Sequence, residues 1–254
     1  MDCISPLDHL QVGQWAALAL IAGQRREIAK NTLVIGATHY KCHTEEEHEK
    51  LLIVLKTPRD GASTSKITYV VTDRGPDPYD VDTMKRQSSS ILSSPSSSAI
   101  GSPSSPEVRA NDRIFIPGTG APSLDRFQKQ LSKRYDALCT MTLVKPMSLA
   151  QLAVLLQTFN QHSAHYNPLT YQCYWYAYTV WEVVRLEFGG IVTENKLQDR
   201  RGKYKRVNVR HQDSVEAIIE MYTNAWRALC EEELRMRQNE EEVIRQVNLA
   251  IMIL

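Results

Sequence analysis

The residue best suited to covalent chemistry is Cys173, set in Asn167-Pro168-Leu169-Thr170-Tyr171-Gln172-Cys173-Tyr174-Trp175-Tyr176-Ala177. The thiolate is the reactive form of cysteine, and both a helix N-terminus and a neighbouring imidazole favour it. The stretch reads as a buried helix with Asn167 as N-cap and Pro168 at the first helical position. Its apolar run continues to Phe188 and is stopped by Gly189-Gly190. This frame puts Cys173 in the second turn, where the helix dipole contributes modestly, so an imidazole has to supply most of the activation. His48, at the mouth of a strand, is the best placed, and His162 and His165, just before the helix, are local alternatives. With such a pair Cys173 attacks an acyl or isopeptide carbonyl and His48 serves as base. Gln172 or a backbone N–H then stabilises the oxyanion. The plainer reading of the same cysteine is a packed thiol on a core helix.

Other groupings carry less. His39, Cys42, His43 and His48 lie close together and are zinc-ligand types, but no second pair with ligand spacing accompanies them, so no metal is expected. The basic run from Lys196 to Arg210 is interrupted by Asp199 and reads as a solvated hairpin, which makes nucleic acid an unlikely partner; a nuclear localisation signal is the alternative. Gly118-Thr119-Gly120 is a turn, and there is no phosphate-binding loop, GxSxG elbow or nicotinamide fingerprint, so no cofactor is expected.

Composition narrows the class. The chain has 254 residues, 43% hydrophobic, with a net charge of +1, enough for a core but without a global field to recruit nucleic acid or membrane. Cysteines 3, 42, 139, 173 and 230 are scattered without a CxxC pair, which points to reduced thiols in the cytoplasm, with the nucleus as alternative. Trp15 to Gly23 follows acidic residues and is far shorter than the ~20 residues of a membrane span, so neither secretion nor a span is expected.

The elements that must position Cys173 and His48 follow from pattern. Pro6 to Lys30 reads as an amphipathic helix, and Thr32 to Gly36 as a strand or a helix tail. Leu51–Leu55 and Lys66–Thr72 form a hairpin about the Pro58–Gly61 turn. Residues 85–111 are a disordered Ser/Pro-rich insert in which Ser94, Ser102 and Ser105 each precede a proline, the pattern of proline-directed phosphorylation. Then come a strand at Arg113–Ile116, a helix at Ser123–Leu131, a strand at Ala137–Val144 with Cys139 as a core thiol, and a helix capped by Ser148. A strand pair is expected at Ile191–Thr193 and Tyr204–Val209. From Val215 a long helix runs towards the C-terminus, apolar along Ile218, Tyr222 and Trp226, then charged enough to be an exposed helix or short coiled coil. The expectation is one α+β domain over residues 1–212, with an antiparallel sheet of about four to six strands on the Cys173 helix, and a partly packed helix over 213–254.

A histidine heading a strand, strands after it, and a cysteine on a late helix resemble the circularly permuted papain-like group that includes NlpC/P60-like and lecithin:retinol acyltransferase-like proteins. Those families show His-Trp at the strand and Asn-Cys at the helix, where this chain has His48-Glu49 and Gln172-Cys173; their third polar residue would fall near Tyr69. His48-Glu49 with Leu51, Tyr69 to Arg74, Cys173 to Ala177 and Ala225-Trp226 is also similar to a family of uncharacterised proteins expanded in mushroom-forming (basidiomycete) fungi, which brings no activity with it. The resemblance implies a papain-like fold and a Cys/His thiol hydrolase or acyltransferase, or a silent relative. The competing class is a non-catalytic interaction module that offers the charged helix and the Ser/Pro segment to protein partners.

Overall fold

Strands with an apolar residue at every second position need one covered face, and here both faces of the central strands are covered. The computed structural model describes residues 9–21, 23–43, 47–58, 65–82, 108–116, 129, 131–166, 172–204, 207–208 and 212–253. In β3 (Glu49–Thr57) and β4 (Lys66–Pro76), Leu51, Ile53, Leu55 and Val70 enter the main core. Leu52 and Val71 turn the other way, into a smaller cluster with Phe115 and Leu131.

β1 (His9–Gln11), β2 (Leu33–Cys42), β5 (Val108–Phe115), β6 (Tyr135–Ser148) and β8 (Gly190–Glu194) complete the order β1-β5-β4-β3-β2-β6-β8. The short β7 (His165–Tyr166) adds to β5, giving eight strands, and every pairing is antiparallel. β9 (Lys203–Tyr204) and β10 (Val207–Asn208) form a separate hairpin. The sheet therefore exceeds the four to six strands expected. Thr32–Gly36, ambiguous as sequence, opens the ten-residue β2, which has β3 and β6 on its two sides. β5 begins at Val108, so residues 108–111 belong to the sheet and not to the insert.

Among the described residues five longer α-helices accompany it. The single helix expected over Pro6–Lys30 is two, α1 (Val12–Leu20) and α2 (Gln24–Asn31), because Gly23 takes φ 90° between them. α3 (Leu149–His162) starts in a capping box: the Ser148 hydroxyl accepts the Gln151 N–H at 3.1 Å, and the Gln151 side chain accepts the Ser148 N–H at 2.8 Å. α4 (Cys173–Phe188) is buried along most of its length and closes at Gly189 in the left-handed conformation. α5 (Gln212–Ile253) packs through Val215, Ile218 and Tyr222, and Glu233 ties it to Arg26 and Lys30 of α2. Beyond that tie Val243, Ile244, Val247 and Ile251 are exposed.

The features read at Pro6, at the 85–107 part of the insert with its Ser-Pro sites, at 123–128 and at Asn167-Pro168 lie outside the described residues. Among the described residues no helix is long and apolar enough to cross a membrane.

Close approach of β2 and β6 makes glycine obligatory at one position. A Cβ at Gly36, where the register of β2 shifts, would stand 2.5 Å from the Met141 carbonyl oxygen. Because the clash is with backbone, Gly36→Ala is expected to destabilise the fold by roughly 1–3 kcal/mol. Urea unfolding followed by circular dichroism measures this, and an unchanged midpoint would refute the packing account.

Candidate active site

Gln172 has extended backbone (φ −109°, ψ −171°) and its carbonyl accepts the Tyr176 N–H at 3.0 Å, which makes it the N-cap of α4. Cys173 is thus the first residue of the helix and not a member of its second turn. The difference is chemical: at the first position the helix N–H groups lack intrahelical acceptors and the dipole acts most strongly. The Gln172 side chain is buried and makes no capping hydrogen bond.

His48 immediately precedes β3, and the Cys42 N–H donates to its carbonyl at 2.8 Å, fixing the strand mouth. Its Nε2 lies 3.1 Å from Asp73 Oδ2, and the Cys173 side chain is near enough to interact electrostatically with the imidazole. Two residues distant in sequence, His48 and Cys173, are therefore brought together at the end of the sheet. Cys173 is 4% exposed, whereas the His48 side chain keeps 21% of its surface open.

Asp73, on β4, is the carboxylate that meets His48. Arg113 clasps it with Nε to Oδ1 at 2.8 Å and Nη2 to Oδ2 at 3.0 Å, and Lys50 Nζ stands 3.2 Å from Oδ2. Burial works against the Asp73 charge but is outweighed by Arg113, by the hydrogen bond from His48 and by Lys50, so its carboxyl is held well below the usual range. Burial likewise opposes charge on His48. Electrostatic interaction with Cys173 and the hydrogen bond to Asp73 outweigh it and push the imidazole up to about 10. The arrangement places the imidazole between a carboxylate and the Cys173 side chain.

The side chain on β4 that meets His48 is that of Asp73; Tyr69, where the resemblance would put a polar partner, packs beside Leu52 and Val71. His162, the local alternative base, stacks on Trp175 with ring centres 6.1 Å apart, and burial and the Arg74 charge lower its pKa. His165 pairs with Arg109 through β7.

The zinc-type residues go separate ways. His39 Nε2 meets Glu49 Oε2 at 2.7 Å beneath α4, alongside Lys41, while His43 Nδ1 meets Asp136 at 3.2 Å. Among the described residues no three His, Cys, Asp or Glu side chains are grouped to hold a metal ion. Nor is the basic run a solvated face throughout. Arg201 donates to Glu182 at 2.8 Å and lies over Tyr178 and Trp181, and Arg200 donates to Asp136 at 3.1 Å. Arg201 borders a cleft of about 480 Å³ with Cys139, whose thiol burial pushes up to about 11 and out of the nucleophilic range. Set against family models, curated proteins and solved structures, the chain matches none.

A pKa raised on folding stabilises the fold below the unfolded value and loses that contribution as pH rises through the folded one. For His48 the window runs from the ordinary 6.5 to about 10. The thermal midpoint is therefore expected to fall across this range in the wild type, with part of the fall missing in His48→Ala. Parallel curves for the two proteins would contradict the assignment.

Proposed function

We propose that the chain is a thiol hydrolase or acyltransferase of papain-like architecture, with the histidine strand ahead of the cysteine helix in the permuted order. The observation that carries the reading is the line of contacts from Asp73 through His48 to Cys173 at the first residue of a buried helix. Asp73 fixes the imidazole through Nε2, leaving Nδ1 available to the sulfur.

In the first half-reaction the Cys173 thiolate adds to an acyl carbonyl carbon, and the oxygen becomes an oxyanion. In this reading the N–H groups opening α4 stabilise that charge, with the Gln172 side chain as a further donor. Collapse breaks the bond to the amine or alkoxide, which leaves with the proton of His48 and yields a thioester. In the second half-reaction His48 takes a proton from water, or from an acceptor hydroxyl or amine, as that oxygen or nitrogen attacks the thioester carbon and frees the thiolate. The described cysteines 42, 139, 173 and 230 are free thiols, which supports assigning the reaction to a reducing compartment such as the cytoplasm.

A second reading rests on α5, whose exposed Val243, Ile244, Val247 and Ile251 suit a protein-binding helix. In that reading Cys173 is only structural.

Alkylation separates the two. Iodoacetamide is expected to label Cys173 rapidly at pH 6, with the site mapped by mass spectrometry, and His48→Ala is expected to lose at least about tenfold in rate, since the unassisted thiol is mostly protonated there. Asp73→Asn should fall between them. Labelling of Cys173 only on unfolding would eliminate the catalytic reading and leave the interaction module.

A further inference from the structure

Two consecutive residues of β4 point to opposite faces of the sheet, as strand geometry requires. Asp73 holds His48 on one side. On the other, Arg74 is fully buried and makes a two-pronged contact with Asp112 of β5, Nε to Oδ1 at 2.5 Å and Nη2 to Oδ2 at 2.7 Å. The same Nη2 donates to the Ser163 carbonyl at the end of α3, at 3.0 Å, and Asn160 of α3 donates to Asp112 at 3.3 Å. Above, the guanidinium lies 5.0 Å from the Trp175 ring centre and 5.3 Å from that of Tyr176, both in the opening turn of α4. The neighbouring Thr72 hydroxyl meets the Tyr176 phenol at 2.7 Å.

We infer that Arg74 is a positioning residue for Cys173, its flat cation locking the opening turn of α4 onto the strand that also carries Asp73. The inference rests on the thiol reading above and adds the group that sets the sulfur-to-imidazole separation. Stability alone is a poor account of the pair, because buried ion pairs exchanged for apolar residues of similar volume often leave a fold as stable or more so. A guanidinium offers what an apolar side chain lacks: a rigid fork that fixes its plane on a carboxylate and a face on which aromatic rings stack. Since β4 grips the histidine through Asp73 and the cysteine helix through Arg74, the two halves of the pair share one rigid reference. Small displacements of reacting groups carry large rate penalties, so such a reference has catalytic value.

The test measures the pH profile of Cys173 alkylation by iodoacetamide from pH 5 to 9 on the full chain, beside the folded fraction by circular dichroism. Arg74→Lys keeps the charge but loses the fork and the flat face. The proposal expects it to stay folded while Cys173 labelling at pH 6 drops at least about tenfold and the profile moves towards an unassisted thiol titrating near about 8.5. A folded Arg74→Lys protein with the wild-type profile overturns the proposal. Should Arg74→Lys unfold, Trp175→Leu, which removes one of the two rings that lie over the guanidinium, decides in the same terms: a shifted profile supports the role and an unchanged one overturns it. A wild-type protein without rapid acidic labelling, or one whose labelling survives His48→Ala, fails the thiol reading itself, a result distinct from a normal wild type with indifferent Arg74 and Trp175 variants.

Discussion

Water is kept from nearly every side of α4, and this exclusion governs the polar chemistry around it. A charge beneath such a helix must find a partner or become neutral. Arg74 finds Asp112 and Glu49 finds His39, Lys41 and the Gly202 N–H, while Glu182 finds Arg185 and Arg201. These pairs lie under or along the helix and bind it to β2, β4 and the segment after β8. The contacts that engage Cys173 occur at its N-terminal end, where the neighbouring His48 side chain still reaches solvent.

At that end the charges alternate. Arg113 and Lys50 face Asp73, Asp73 faces His48, and His48 faces the sulfur. The two cations do more than neutralise: they keep the carboxylate ionised despite burial, and only the ionised form draws the imidazole proton towards it. Cys139 shows what the same side chain does elsewhere. It is buried in β6 without an imidazole contact of this kind, and its thiol is pushed up to about 11. Residue type is equal in the two cases; the neighbours are not.

Much of this was legible where the signal is local. Ser148 with Gln151 and the stop at Gly189 are read directly from residue type, because caps depend on a few adjacent groups. The pairing of His48 with Cys173 was legible as a topological argument, a strand mouth facing a late helix. Asp73 was not. Aspartate is disfavoured in strands and Asp73-Arg74 reads as a strand terminus, yet β4 continues to Pro76 because both side chains have ion partners on β5, Arg113 and Asp112. Those partners lie beyond the insert and leave no trace near position 73. The start of α4 reads too early for the opposite reason, because a local cap signal outweighs Gln172, the observed N-cap. Arg201, likewise, looks solvated until Glu182 is seen to face it.

The order in which these parts come together has its own consequence. His48 heads β3 and Asp73 sits on the adjacent β4, and contacts of low sequence separation close with little loss of chain entropy. Cys173 is remote from both, on a helix that also packs against β6 and the end of the chain. A nascent or partly folded chain can hold the imidazole and its carboxylate together long before the sulfur arrives. The sulfur consequently reaches the imidazole as one of the last events of folding.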